Sequence, residues 1–382
     1  MIVALLLFIL SIGSAAAIFE RPPAFLATLN QFDLDATGFL TDPASNLFAK
    51  QFRLATGRRL LPVASGLPLN ERLASATVII VGPYPYDVPV DDAPAILRAH
   101  AAHAALIFMA CENHSLRDHN RSFIGLVDAS FGPRYDFVDP TFLRMPCWLP
   151  YFVDPRTCVL DPRLSAYDGR TPAGAASIAT AWRARRGFAS HVASHGGFPR
   201  EALVELLTQR EVVDVPFGPL KNMEWPADVH NELGRRRRLA VIAGLHSGTF
   251  SFIARYRFNI CPENSESSSR GYNTEKLPRA LATGAVPVYW GDYPLDAAVF
   301  NPARYITLAS GSREAGEDVN SSVLMTITRL EEDASFREWF FSRPVLQPGA
   351  QLWVDSWCTS MRAILSSVWS RFEYRVRTQC CS

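Results

Sequence analysis

The sequence predicts an α/β chain folded as two sheet-and-helix units, and three observations carry that prediction. Short apolar runs rich in β-branched residues, bounded by glycine and proline, recur along the chain and read as strands covered on both faces. Between them lie segments whose apolar residues return at helical spacing, so strand and helix alternate. At 382 residues the chain exceeds what one compact core organises and suits two domains of roughly 150 to 180 residues.

Composition bounds the partners. With 48% hydrophobic and 20% charged residues the chain is globular rather than disordered. Its 38 Lys+Arg stand against 37 Asp+Glu, so no global field gathers nucleic acid, and an anionic ligand must be held by a local constellation. Seven cysteines are too few for a disulfide scaffold, and their odd number leaves at least one thiol unpaired within the chain.

The elements follow in order. Ile2 to Ile18 run apolar up to Glu20, Arg21 and Pro22-Pro23, an address for the secretory route. Ala15-Ala16-Ala17 suits cleavage of a signal peptide, and the run also reaches the lower limit for a retained signal-anchor. Without basic residues ahead of it, a buried amino-terminal strand is the third reading. The sequons at Asn113, Asn120 and Asn320 gain meaning only if the chain enters the lumen. Thr77–Val81 predicts a central parallel strand, Asp91-Asp92 opens a helix through His103, and Ala105–Ala110 is the next strand, stopping at Cys111-Glu112-Asn113. A further apolar piece covers Phe123–Val127. Residues 161–181, with Asp-Pro, Asp-Gly and Thr-Pro, form the best linker candidate.

The pattern then restarts. Phe188–Ser194 reads as a strand, Pro199–Gln209 as a helix with Leu203, Leu206 and Leu207 in an apolar stripe, and Glu211–Val215 as a strand. Arg235–Arg238 is a basic run, most simply a solvated loop, ahead of apolar Leu239–Ala243. Tyr256–Cys261 predicts a strand with Tyr256, Phe258 and Ile260 on one face. A polar loop leads to Thr274, expected to cap a helix that Gly284 ends, and Val286–Trp290 is the strand after it. Glu331–Trp339 and Gln351–Tyr374 read as helices. The segments are residues 1–18 as signal peptide or signal-anchor, 19–185 as an amino-terminal Rossmann-like domain, 186–345 as a carboxy-terminal one and 346–382 as a helical tail.

The chemistry concentrates between Tyr256 and Gly291. A polar loop and a helix start at the carboxyl edge of a parallel sheet form a place where open α/β folds hold phosphates. Lys276 in the first turn opposes the helix dipole unless an anion sits there. No His/Cys/Asp group stands at metal-ligand spacing. Cys380-Cys381 read as an exposed tail or as a disulfide partner for Cys358.

The motifs Glu263-Asn264-Ser265, Gly271-Tyr272-Asn273-Thr274-Glu275-Lys276 and Pro287-Val288-Tyr289-Trp290-Gly291, after the Tyr256-Arg-Phe strand, resemble the donor-binding signature of the α-1,3/4-fucosyltransferase family (glycosyltransferase family 10). Val299–Ile306, Ser194–Arg200 with Val213-Asp214 and Gly218, and Phe108–Asn113 resemble further family segments in the family's order. The resemblance implies two Rossmann-like domains facing a cleft, the GT-B type, with the amino-terminal domain binding the acceptor. It implies an inverting transfer of fucose from GDP-fucose to a GlcNAc-containing glycan on glycoprotein, glycolipid or free oligosaccharide, in α-1,3-type linkage. Glu112 matches the family's general base, and Lys276 and Arg200 match its donor-binding cations, which carry diphosphate charge without a metal or other cofactor. Tyr272 and Glu275 match contacts to the fucose or ribose portion, and Asn264 lies in the turn that shapes the site, while Glu263 is equally a structural loop residue. The family implies a lumenal domain at the Golgi membrane or elsewhere on the secretory route, and an unmodified Asn113, since a glycan there would block the cleft. His195, where the family has Asn, and Ala110-Cys111, where Gly is common, depart from the pattern. A transferase for another nucleotide sugar and a non-catalytic lumenal glycan-binding protein are the alternatives.

Overall fold

The structure of the chain is a computed structural model that describes residues 21–29, 46–64, 66–82, 87, 89, 92–110, 125–133, 139–229, 248–264, 271–291, 297–308 and 316–379, the last with backbone only for 316–320. The chain order is β1 (Ala24–Leu29), α1 (Leu47–Thr56), β2 (Leu60–Pro62), α2 (Leu69–Ala74), β3 (Val78–Val81), α3 (Ala93–His100), β4 (Ala105–Met109), β5 (Ala129–Gly132), β6 (Phe142–Arg144) and α4 (Leu149–Phe152). It continues with α5 (Pro172–Arg183), β7 (Gly187–His191), α6 (Arg200–Thr208), β8 (Val213–Asp214), β9 (Tyr256–Ile260), α7 (Lys276–Ala282), β10 (Val286–Tyr289), β11 (Ile306–Thr307), α8 (Gly316–Glu332), α9 (Ala334–Ser342) and α10 (Ala350–Gln379).

The strands form two parallel sheets, ordered β2-β1-β3-β4-β5-β6 and β11-β10-β9-β7-β8. In each, the first strand of the unit steps outward to a neighbour and the chain then returns to its other side, between β1 and β3 and between β7 and β9. Such reversals splay the connections apart and open a crevice outside the carboxyl ends of the strands. The register pairs His191 with Ile260 and Ile260 with Val288, so the ends of β7, β9 and β10 meet at one edge. This is the α/β architecture of two Rossmann-like sheets expected from the sequence.

Every residue of β3 and β9 is buried, as two-sided cover requires. β9 therefore does not follow the one-faced alternation expected of it. Phe258 and Ile260 enter the second core, while Arg257 and Asn259 are buried among polar partners: Arg257 with Glu331 and Glu211, Asn259 with Ser190.

The chain crosses between the sheets twice. The expected linker 161–181 carries a 3₁₀ turn at Pro162–Ser165 and the start of α5 instead of flexible chain. Thr171 caps α5 by accepting from the Gly174 amide at 3.1 Å, Pro172 needs no amide partner at the first position, and Trp182 donates to the Arg257 carbonyl at 2.7 Å. α10, whose 30 residues span about 45 Å, returns to the first sheet. Its Trp357, Met361, Leu365 and Trp369 join the core of β1, β3, β4 and α1, each large buried side chain contributing about 1.5 to 3 kcal/mol. Arg375 then clamps Asp128 with bonds of 2.6 and 2.9 Å, while Asp128 accepts from the Leu106 amide of β4.

The strand after β4 is Ala129–Gly132, where Phe131 reaches the first core, and Val127 of the preceding apolar piece packs in a neighbouring core. Two boundaries differ from expectation. The strand expected at 211–215 shrinks to Val213–Asp214 at a sheet edge. Thr274 stands one residue ahead of the cap position of α7, which Glu275 takes. Residues 1–18, Glu112, Asn113, Asn120, Arg235–Arg238, Leu239–Ala243 and Cys380-Cys381 lie outside the described residues, and Asn320 falls within α8. No described helix is long and apolar enough to cross a membrane.

Candidate active site

The reversal between β7 and β9 gathers most of the candidate residues. The turn after β9 carries Glu263, α6 starts at Arg200, and residues 271–276 lead into α7.

Glu263 is the hub. Its side chain is fully buried, Oε1 accepts from the Thr274 amide at 2.8 Å, and Oε2 accepts from the Thr274 hydroxyl at 2.7 Å and from Lys276 Nζ at 3.1 Å. Tyr289 Oη lies 3.3 Å from Oε1 and donates to Asn273 Oδ1 at 2.9 Å. Burial pushes the Glu263 carboxyl above its usual range, against the Lys276 charge and the Thr274 bonds. Burial by itself would lower the Lys276 pKa, and the Glu263 and Glu275 carboxylates overcome that and raise it. The Thr274 hydroxyl donates to Glu263 and accepts from Lys276 Nζ at 3.0 Å and from the Lys276 amide at 3.5 Å, while Glu275 at the cap position makes no side-chain cap bond. Glu275 pairs with Arg279 one turn on, at 3.1 Å. The helix has only seven residues, so its dipole is a smaller source of positive potential than the Lys276 ammonium.

Arg200 stitches the loops together. Nη1 donates to the His195 and Gly196 carbonyls at 3.2 Å each, and Nη2 donates to the Glu263 carbonyl at 3.1 Å and to Asn264 Oδ1 at 2.6 Å. Its burial lowers the guanidinium pKa from the ordinary value, with Glu263 and Tyr272 opposing. Asn264 is exposed, and its amide Nδ2 stands 3.5 Å from the hydroxyl of buried Tyr272. The structure thus joins Arg200, Asn264, Tyr272 and Lys276 in one network around Glu263, with Glu275 at its margin.

Two features went unread in the sequence. His191, at the end of β7, donates from Nδ1 to the Ile260 carbonyl at 2.9 Å, and burial lowers its pKa to about 4, with Arg200 and Lys276 adding to the effect. Arg144, at the end of β6, donates to the Pro133 and Gly271 carbonyls at 3.0 and 3.2 Å, and the Cys147 amide donates to the Asn273 carbonyl at 2.9 Å. The loop ahead of α7 is therefore docked on the carboxyl edge of the first sheet. Gly271 permits it: φ is +103°, and a Cβ there would come within 2.2 Å of the Pro133 oxygen. A glycine in Gly-Tyr-Asn-Thr-Glu-Lys was a signal for such a backbone approach.

Among the described residues, Arg200 and Lys276 flank the buried Glu263 carboxylate, while Glu275 pairs with Arg279. Over these five side chains one positive charge is left over, which suits an anion. Among the described residues no group of three His, Cys, Asp or Glu side chains is placed to share a metal ion.

Comparison with known proteins finds similarity to fucosyltransferases. The α-(1,3)-fucosyltransferase FucT of Helicobacter pylori is 32% identical over 125 residues, which are 32% of this chain and 22% of that protein. A crystal structure of an α1,3-fucosyltransferase matches 90% of this chain and 92% of its own length with a TM-score of 0.56 at 17% identity. Over the 125 matched residues the chain is similar in sequence to an α-1,3-fucosyltransferase. A second such crystal structure, that of an α1,3-fucosyltransferase with GDP-fucose, covers 90% of this chain and 91% of its own with a TM-score of 0.54 at 17% identity. The fold, two parallel sheets of the GT-B type, is therefore shared with α1,3-fucosyltransferases across nearly the whole chain. The sequence likeness is narrower: this chain spans about a fifth of the length of the Helicobacter fucosyltransferase (22%). No family model matches the chain.

Proposed function

We propose that the chain is an inverting glycosyltransferase that moves fucose from GDP-fucose to a hydroxyl of a GlcNAc-containing glycan, in α-1,3-type linkage. The observation that carries this reading is the surplus positive charge of Arg200 and Lys276 around buried Glu263, at the strand reversal where α/β folds bind nucleotides. The fold shared with an α1,3-fucosyltransferase crystallised with GDP-fucose supports the choice of donor.

In a single displacement the acceptor oxygen attacks the anomeric carbon from the face opposite the diphosphate, and the bond from that carbon to the phosphate oxygen breaks. Glu112, which matches the family's general base, takes the acceptor proton. Lys276 meets the charge developing on the departing GDP. Arg200, whose Nη groups are occupied by loop carbonyls and Asn264, acts by holding the turn in place and through its charge. Tyr272 and Glu275 contact the ribose or fucose, and Asn264 shapes the turn. We place the enzyme in the lumen of the secretory route, at the Golgi, on the strength of the apolar run at residues 2–18 and the sequons.

A titration with GDP-fucose, GDP-mannose and UDP-sugars, followed by transfer assays in excess EDTA, tests the reading. GDP-fucose should bind tightest, and transfer should survive chelation because two side-chain cations serve the leaving group. Tighter binding of another nucleotide sugar would reassign the donor. Loss of turnover in EDTA with rescue by Mn²⁺ would overturn the cationic account.

A further inference from the structure

Away from the crevice, two thiols meet where the loop between α4 and the 3₁₀ turn rests on α10. Cys358, on α10, is wholly buried in the first core, and Cys158 packs against the same cluster. Both are free thiols, and each side chain perturbs the titration of the other. Three further contacts lock the loop in that position. Gln51 of α1 donates to Cys158 Sγ at 3.0 Å, Gln351 of α10 donates to the Cys158 carbonyl at 2.8 Å, and the Leu160 amide donates to Gln351 Oε1 at 3.0 Å. Cys158 adopts φ +57°, the only non-glycine residue with positive φ among those described. A left-handed backbone is disfavoured for a side chain of this kind and persists when its surroundings hold it there.

We propose that Cys158 and Cys358 form a disulfide that ties the 153–160 loop to the carboxy-terminal helix. The two thiols differ in the way an exchange reaction requires. Cys158 is half-buried, and hydrogen bonds from Cys358 and Gln51 with the nearby Arg362 charge lower its pKa to about 7, against burial and Asp355. It is the nucleophile. Cys358 is raised above the ordinary thiol range by its contact with Cys158 and by burial, and so stays protonated until the second step. The oxidant is a small-molecule or protein disulfide such as oxidised glutathione. The Cys158 thiolate attacks one sulfur of that reagent, forming a mixed disulfide and releasing one thiolate. Cys358 then loses its proton, and its sulfur attacks Cys158 Sγ, forming the Cys158–Cys358 bond and releasing the second thiolate. Two protein thiols and one reagent disulfide become one protein disulfide and two reagent thiols, and the protein gives up two electrons. The bond joins positions 200 residues apart, 158 and 358, and fastens α10, which crosses from the second unit to the first, within its first third. This assignment replaces the pairing of Cys358 with the terminal cysteines considered from the sequence.

The test incubates the folded full chain in a glutathione redox buffer, blocks remaining thiols with iodoacetamide and maps non-reduced tryptic peptides. Residues 157–163 and 338–362 each hold one cysteine, so a linked pair of these peptides identifies the bond. It should appear in oxidised glutathione and vanish in dithiothreitol, with the melting temperature falling by about 4 to 8 °C on reduction. Cys158→Ser and Cys358→Ala should each abolish the linked peptide and melt like the reduced parent. Full alkylation of both cysteines in folded protein under oxidising conditions would overturn the proposal, as would linkage of Cys358 to Cys380 or Cys381. The outcome is independent of donor binding and of transfer.

Discussion

Lys276→Ala separates a structural role from a binding role, because Lys276 touches Glu263 and faces the crevice at once. In the single variant the buried Glu263 carboxylate loses its ammonium at 3.1 Å but keeps the Thr274 amide at 2.8 Å and hydroxyl at 2.7 Å. Breaking a buried ion pair costs about 3 to 5 kcal/mol, and the surviving donors put this case near the lower end, a fall of about 6 °C in melting temperature. GDP loses a charge-assisted contact of about 1.5 to 3 kcal/mol, a ten- to hundredfold rise in Kd. The double variant Lys276→Ala/Glu263→Gln removes the uncompensated carboxylate, so most of the lost stability should return while GDP affinity stays low. Differential scanning fluorimetry and calorimetric titration on the parent, the single and the double variant measure both quantities. If the double variant binds GDP as tightly as the parent, Lys276 is only a counter-ion for Glu263, and the account of the leaving group is wrong.

Glu112→Gln keeps shape and removes basicity, so transfer should fall roughly 10² to 10⁴-fold while GDP affinity and melting temperature stay near the parent's; near-normal transfer would place the base elsewhere. His191 should make the fold acid-sensitive. Its pKa falls from 6.5 in the unfolded chain to about 4 in the folded one, so the unfolded state binds the extra proton between those values and stability drops as pH is lowered through them. Denaturant titrations at pH 7 and pH 4 should show that His191→Asn, once its own loss is subtracted, escapes roughly 3 kcal/mol of the parent's decline; parallel curves would refute the burial argument. Gly271→Ala places a methyl 2.2 Å from the Pro133 oxygen at φ +103°, so the docked loop must move. It should lower GDP affinity and cost about 2 kcal/mol or more, and a wild-type melting curve with unchanged affinity would show that the docking does not position the site.

Much of the second unit was legible because its parts are contiguous. From Tyr256 to Gly291 the strand, turn, loop, helix and strand follow one another, and the glycines at 271, 284 and 291 stand where the backbone must bend or approach closely. Arg200, Asn264, Tyr272 and Lys276 were found from their motifs, and the structure joins them in one network. Glu263 was harder to place, since a glutamate in a polar loop looks the same in sequence whether it faces water or is buried beneath Thr274, Lys276 and Tyr289.

The sequence by itself determined the alternation of buried strands and amphipathic helices, the two-unit architecture and the identity of the motif-borne residues. These follow from periodicity and from short-range backbone rules that a linear pattern can express. Only the tertiary structure decided the roles that depend on distant partners. Arg200 meets Glu263 and Asn264 across more than sixty positions (63 and 64), and Glu263 holds both the amide and the hydroxyl of Thr274 while the cap position falls to Glu275. α5 orders within the presumed linker because Trp182 finds the Arg257 carbonyl, and Cys358 meets Cys158 where α10 crosses back to the first sheet. In each case a long-range contact outweighs a local preference worth about 1 kcal/mol, and such contacts exist only once the sheets have placed their edges together.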